Sequence, residues 1–253
     1  MNPSDPPIFI LGANRSGTTL LRLILNAHSR IAIPDEVGYF EKVYKHFTPS
    51  WRVPGLSKKR YAHHVDRAID RYFSHLDGID HEALKARIVQ TEPRDWRQPY
   101  KMALEAWAHR QGKPRWGEKT PANLFYVDVI VDMFPAARFV YLARDPRDGV
   151  RSMQDTEFFP DDVVLNALSR RKHAEVALRL LRRHVPPAQW TAVRYEDLVT
   201  DPEQAARGLC AFLDEPYEPA MLAYHRDAEN YLNDEAARTY NATATRPITT
   251  ARL

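Results

Sequence analysis

Short apolar runs alternate with longer stretches of helical periodicity along this chain. Ile8 to Leu11 is wholly apolar, and Phe139 to Leu142 repeats the pattern after Arg138. Strands are predicted over 7–12, 138–142 and 190–194, with short extended segments at 31–34 and 115–119. Between them the spacing changes to threes and fours. Tyr61, Val65, Ala68, Ile69, Tyr72, Phe73 and Leu76 mark one amphipathic helix, and Met102, Leu104, Ala106, Trp107 and His109 mark another. Further helices are predicted over 17–28, 122–134, from Pro146 onward, over 161–184, and near 202–213 and 217–228. Strands alternating with helices define an α/β fold with a parallel, doubly wound sheet, in which ligands gather at the carboxyl ends of strands. The long helical interval from about 37 to 111 reads as an insert within one domain spanning 1–253, and the tail 229–253 reads as irregular.

The first strand runs into Gly12-Ala13-Asn14-Arg15-Ser16-Gly17-Thr18-Thr19, and a helical stretch follows at once. A glycine-bounded loop between strand and helix is the layout in which backbone N–H groups cradle phosphate oxygens. In a nucleoside triphosphatase the residue after the second glycine is lysine, which reaches the β- and γ-phosphates. Here it is Thr18. The loop keeps the means of holding an oxyanion and lacks the residue that handles a triphosphate.

Composition narrows the setting. A chain of 253 residues has room for one large α/β domain. No stretch approaches the roughly 20 apolar residues of a membrane span, and Met1 to Pro7 lacks a basic-then-apolar leader pattern. The single Cys210 excludes an internal disulfide framework, and together these features predict a cytoplasmic protein. A net charge of +3 does not imply nucleic-acid binding. Arginine exceeds lysine, and guanidinium suits bidentate contact with phosphate or sulfate, although Arg179, Arg182 and Arg183 read as a solvated helix face. No His, Cys or Asp spacing resembles a metal site, and the expectation is that no metal is used.

A second anion-binding pattern follows the strand at 138–142. Arg144 stands at its carboxyl end, Pro146 opens a helix, and Ser152 lies about two turns along, within reach of the same phosphate. Taken with the lysine-free loop, this segment resembles the sulfotransferase superfamily, whose members use 3′-phosphoadenosine-5′-phosphosulfate. The resemblance extends to Trp116-Gly117-Glu118-Lys119-Thr120-Pro121, to Arg194-Tyr195-Glu196-Asp197-Leu198 and to Asp35-Glu36. It is nearer to the tyrosylprotein and bacterial branch than to the cytosolic small-phenol branch. It implies a three-layer P-loop-like sandwich with a central parallel sheet and a helical insert.

It also implies roles. Arg15, Ser16, Gly17, Thr18 and Thr19 would hold the 5′-phosphosulfate, Arg144 and Ser152 the 3′-phosphate, and Tyr195 would contact the nucleotide. Lys119 would stabilise the departing phosphate beside Arg15, and Glu36 would be the general base. Asp35 is the competing assignment for that base, with helix capping as its structural alternative. Trp116 either stacks on adenine or belongs to the core. Tyr39, Phe40, Tyr44, Trp51, Trp96 and Tyr100 either shape an acceptor cleft or fill a helical core. The acceptor would be a small-molecule, glycan or peptide hydroxyl, and a homodimer is possible. A P-loop kinase or other phosphotransferase, and a non-catalytic nucleotide-binding homologue, are the alternatives. Related sequences continue past Arg246–Leu253 into a Lys/Trp-bearing helix, so a truncated chain, or a lid supplied from elsewhere, is expected. The segment Asn241 to Thr245 is a further source of nucleotide contacts.

Overall fold

Alternation within a four-residue strand decides the layering. In β1 (Ile8–Leu11) every residue is buried, yet Ile8 and Ile10 belong to one hydrophobic cluster while Phe9 and Leu11 belong to the other. Successive side chains of a strand point to opposite faces, so β1 is covered on both sides, as a strand of an all-parallel sheet must be. Val140 and Leu142 of β4 (Arg138–Ala143) join the first cluster, and Phe139 and Tyr141 the second. The computed structural model describes residues 5–43, 57–95, 97–231 and 243–250. Tyr44, Trp51, Trp96 and Asn241 lie outside the described residues.

The sheet has five parallel strands in the order β2-β3-β1-β4-β5, where β2 is Ile31–Ala32, β3 is Arg115–Glu118 and β5 is Trp190–Arg194. β1 is central, with Ile8 registered against both Gly117 and Arg138. The chain leaves β1 toward one edge of the sheet and later returns to build the other. The carboxyl end of β1 is therefore the switch point at which open α/β sheets bind ligands.

One face of the sheet carries α1 (Thr18–Asn26), α9 (Tyr195–Thr200) and α10 (Pro202–Leu213). The other carries α6 (Val127–Met133), α8 (Val163–His184) and helices inserted between β2 and β3. Those are α2 (Tyr39–Val43), α3 (Lys58–Ala68) with a π-helical extension over Ile69–Phe73, α4 (His81–Gln90) and α5 (Arg97–Arg110). α7 (Pro146–Gln154) follows β4, with Asp145 capping its start through the Arg147 N–H. Among the described residues no helix is long and apolar enough to cross a membrane.

Three local expectations change. The helix expected near 217–228 is 3-10 in character, over Pro219–Arg226 and Ala228–Tyr231, where Pro216 and Pro219 restrict the entry. The helix expected at 122–134 opens as a 3-10 turn over Pro121–Phe125 before α6. α9, absent from the sequence reading, starts directly where β5 ends. The insert's aromatic residues form a core. Tyr39, Phe40, Tyr72, Phe73 and Tyr100 pack ring against ring, and Tyr100 meets Trp116 at 6.0 Å. Trp116 is closed in between Phe9, Tyr100 and Phe134. Its role is therefore packing, not stacking on a base.

Candidate active site

The loop between β1 and α1 owes its shape to two left-handed residues, Arg15 at φ 63° and Gly17 at φ 91°. Gly17 is the N-cap of α1 and has no side chain to cap the helix. The first-turn N–H groups of a helix have no partner within it, so they face the opening beyond the loop together with the positive end of the helix dipole. A Cβ on Gly17 would also lie 2.5 Å from the Tyr195 ring. A side chain at this position is thus opposed twice, by backbone conformation and by the ring beneath it.

The opening is a cleft of about 390 Å³. Its walls include Asn14, Arg15, Gly17, Thr18, Thr19, Glu36, Arg144, Ser152 and Tyr195. The tail residues Thr243, Ala244, Arg246, Pro247, Ile248 and Thr249 close one side, and Tyr224 Oη donates to the Arg246 carbonyl at 2.5 Å. Arg15 Nε donates to Ser152 Oγ at 3.1 Å, so the loop and α7 share one polar contact. Arg144 donates to the Arg15 carbonyl at 3.2 Å, and its guanidinium lies 4.3 Å from the centre of the Tyr195 ring. That is a cation–π arrangement with the ring as a platform. Glu196 of α9 accepts from the Asp145 N–H at 2.8 Å, tying the end of β4 to α9. Hydrogen bonds from Arg147 hold the Asp145 carboxyl down to about 2.

Ser16 is placed differently from its neighbours. Its N–H donates to the Ala13 carbonyl at 3.1 Å, and its hydroxyl accepts from Arg170 at 3.2 Å, so it sits beneath the cleft wall. Arg170, on α8, also donates to the Asn14 carbonyl. Burial, reinforced by the neighbouring Arg144 charge, pushes its guanidinium down to about 10. The residue was not foreseen from sequence, although Asn166, Arg170, Ala177 and Leu181 fall on the one buried face of α8.

At the other end, the loop after β2 and the end of β3 meet. Lys119, 1 % exposed, donates to Glu36, whose side chain is 47 % exposed and reaches the cleft. Asp35 turns inward instead. Its carboxylate lies 3.5 Å from Arg22, a fully buried arginine of α1, and accepts from the Glu36 N–H at 3.0 Å. Burial lowers the Arg22 pKa while Asp35 and Glu36 oppose that shift. Glu118 is buried behind Lys119 and accepts from Thr120 Oγ1 and Asn123 Nδ2. Thr120 in turn accepts from the Gly38 N–H at 3.2 Å, on the loop that carries Glu36. Burial pushes the Glu118 carboxyl up to about 7, with the Glu36 charge adding to the effect and Thr120 opposing it. Arg22 also escaped the sequence reading, and Glu118, named within the Trp116–Pro121 segment, was given no role there. A lone arginine inside the apolar run Leu20 to Leu25 was the available signal for the first.

A strand–loop–helix cradle with an uncapped helix start, arginines on two sides and threonine in place of the usual lysine has the donor set to hold an anion at the switch point of an α/β sheet. The family model described as "Sulfotransferase family" matches residues 6–219, and the chain belongs to that family. The chain is 27 % identical over 237 residues to a protein-tyrosine sulfotransferase of Drosophila melanogaster, covering 92 % of this chain and 42 % of that protein. It is 26 % identical over 272 residues to an omega-hydroxy-beta-dihydromenaquinone-9 sulfotransferase of Mycobacterium bovis, covering 90 % and 69 %. The chain spans 42 % and 28 % of the lengths of the first two curated relatives it matches. Among solved structures, the sulfotransferase domain of the Synechococcus PCC 7002 olefin synthase superposes with a TM-score of 0.67 at 23 % identity, covering 100 % of this chain and 88 % of that one. This last likeness concerns the fold.

Proposed function

We propose that the chain transfers a sulfuryl group from 3′-phosphoadenosine-5′-phosphosulfate to a hydroxyl acceptor, with Glu36 as general base. The observation that carries this reading is one cleft with two chemically distinct ends. Arg15, Arg144, Ser152 and an uncapped helix start stand at one end, and Glu36 beside Lys119 at the other. The fit to the nucleotide rests on its donor set, which offers backbone N–H groups, hydroxyls and guanidinium without a carboxylate in the first turn of α1.

When bound, the nucleotide supplies the sulfuryl group and a bisphosphate leaving group. Thr18 and Thr19, with the loop N–H groups and Arg15, would hold its 5′ side, while Arg144 and Ser152 would hold the 3′-phosphate. Tyr195 would support both through Gly17 and Arg144. Arg15 and Lys119 place fixed positive charge where negative charge develops, which is worth most in a water-poor site. Glu36 takes the acceptor hydroxyl proton. Its exposure to the cleft favours it over Asp35, which is engaged by Arg22.

The named relatives act on a protein tyrosine and on an omega-hydroxy dihydromenaquinone, both of which present a hydroxyl. The acceptor here is accordingly a peptide, glycan or small-molecule hydroxyl. Sulfuryl transfer from the phosphosulfate donor to a panel of such acceptors tests the reading, with bisphosphate release as the signal. Glu36→Gln should lower turnover about 10²- to 10⁴-fold, while calorimetric titration with adenosine 3′,5′-bisphosphate shows affinity within about twofold of wild type. Unimpaired turnover in this variant would reject Glu36 as the base.

A further inference from the structure

The nucleotide loop is braced from below by a residue that belongs to none of its motifs. Arg170 projects from α8, is 5 % exposed, and does not line the cleft. It donates to the Asn14 carbonyl and, at 3.2 Å, to Ser16 Oγ. These two partners flank Arg15, the loop's non-glycine residue with a left-handed φ.

In a trans peptide the C=O and the following N–H point in opposite directions. Drawing the Asn14 carbonyl down toward α8 turns the Arg15 N–H the other way, toward the cleft. Left without that partner, the Asn14–Arg15 peptide is free to rotate, and the carbonyl would present partial negative charge where an anion must sit.

The guanidinium reaches the loop through a gap in α7. A Cβ on Gly149 would lie 2.0 Å from Arg170 Cζ and 2.2 Å from its Nη2. A side chain at position 149 would force the guanidinium to move, so the glycine of α7 leaves the arginine its path. Ser152, three residues further on the same helix, receives the hydrogen bond from Arg15. Arg170, Gly149 and the loop thus form one interlocked unit.

We infer that Arg170 is a positioning residue for the 5′-phosphate end of the nucleotide site, and that Gly149 is the gap it requires. The inference rests on the reading of the loop given above. Arg170 touches no nucleotide atom in this account. It acts through Asn14 and Ser16, by fixing the direction of the Arg15 N–H before the ligand arrives.

The test compares wild type, Arg170→Met, Gly149→Ala and the double variant, each folded by circular dichroism, in calorimetric titrations. The probes are adenosine 5′-monophosphate, adenosine 3′-monophosphate and adenosine 3′,5′-bisphosphate. Hydrogen bonds from a charged donor contribute enough that Arg170→Met should weaken the two 5′-phosphate-bearing ligands about 10- to 100-fold. Adenosine 3′-monophosphate, which does not use the loop, should keep its affinity. Gly149→Ala should reproduce most of that loss by displacing the guanidinium. In the Arg170→Met background it should add nothing, because the guanidinium contacts it would displace are already absent. Arg170→Lys, which reaches one of the two partners, should recover part of the affinity.

Three results would overturn the inference: full 5′-phosphate affinity in Arg170→Met, equal losses for the 3′- and 5′-monophosphates, or additive losses in the double variant. A wild-type protein that does not bind the bisphosphate would instead remove the underlying reading of the loop, and the inference with it.

Discussion

At the loop end of the cleft, Arg15, Arg144 and Arg170 each hold a group from a distant part of the chain, and Gly17, Tyr195 and Glu196 lock the same region from beneath. At the proposed acceptor end a half-exposed glutamate meets one buried lysine. The first arrangement is a mesh of permanent charges whose positions are set before any ligand binds, as electrostatic stabilisation requires. The second leaves a carboxylate accessible, as the proposed uptake of the acceptor's proton would require. Two adjacent residues make the contrast sharp. Asp35 belongs to the scaffold through Arg22, and Glu36 belongs to the cleft.

Exchange of these neighbours gives the largest expected separation. Glu36→Gln should lose turnover by the two to four orders of magnitude given above with only a small loss of stability, because this side chain is half-exposed and the amide oxygen still accepts from Lys119. Asp35→Asn should do the reverse. It leaves the buried Arg22 charge without its ion-pair partner, at a cost of about 3 kcal/mol in stability measured by urea unfolding. A loss of turnover without destabilisation in Asp35→Asn would exchange the two roles.

The next effect probes the loop end alone. Gly17→Ala places a side chain at φ 91° and against Tyr195, and should cost about 1–3 kcal/mol. Thermal denaturation should report that loss, and titration should show weaker bisphosphate binding. Unchanged stability and affinity would mean that the loop is less tightly constrained than its contacts indicate.

The smallest effect is a pH dependence at the acceptor end. Glu118 has its pKa raised from 4.5 to about 7, chiefly by burial. The folded state therefore binds its proton more tightly than the unfolded state. The stabilisation from this group is full below about 4.5 and is lost as pH rises through about 7. Melting temperatures measured between pH 4.5 and 8 should accordingly fall more steeply for wild type than for Glu118→Gln. Parallel curves would show that Glu118 titrates normally.

The same contrast explains what could be read from the sequence. Anion binding by backbone uses consecutive residues, so Gly12 to Thr19 announces itself, as does the run from Arg144 to Ser152. β1 and β4 were legible because a strand buried on both faces is a short apolar run between breakers, whereas β3 reads Arg-Trp-Gly-Glu and the edge strands β2 and β5 are two residues long and partly exposed respectively. Arg170 was not legible, since its partners lie on the loop far along the chain and no local pattern distinguishes it from Arg171 beside it. Only its place on the face shared by Asn166, Ala177 and Leu181 separates the two. Aromatic residues left two readings open, an acceptor cleft or a helical core. Tyr39, Phe40 and Tyr100 lie within the insert that suggested an acceptor cleft, yet they fill its core together with Trp116. Composition reports that such rings are present and says nothing of which way they face.

The central claim is a cleft with two separate anion sites, and calorimetry with adenosine 3′,5′-bisphosphate and adenosine 5′-monophosphate tests it most directly. Wild type should prefer the bisphosphate by about 10- to 100-fold, because charged hydrogen bonds to the second phosphate add to those of the loop. Arg144→Met should erase most of that preference while still binding the monophosphate. Equal affinity of wild type for the two ligands would contradict the account.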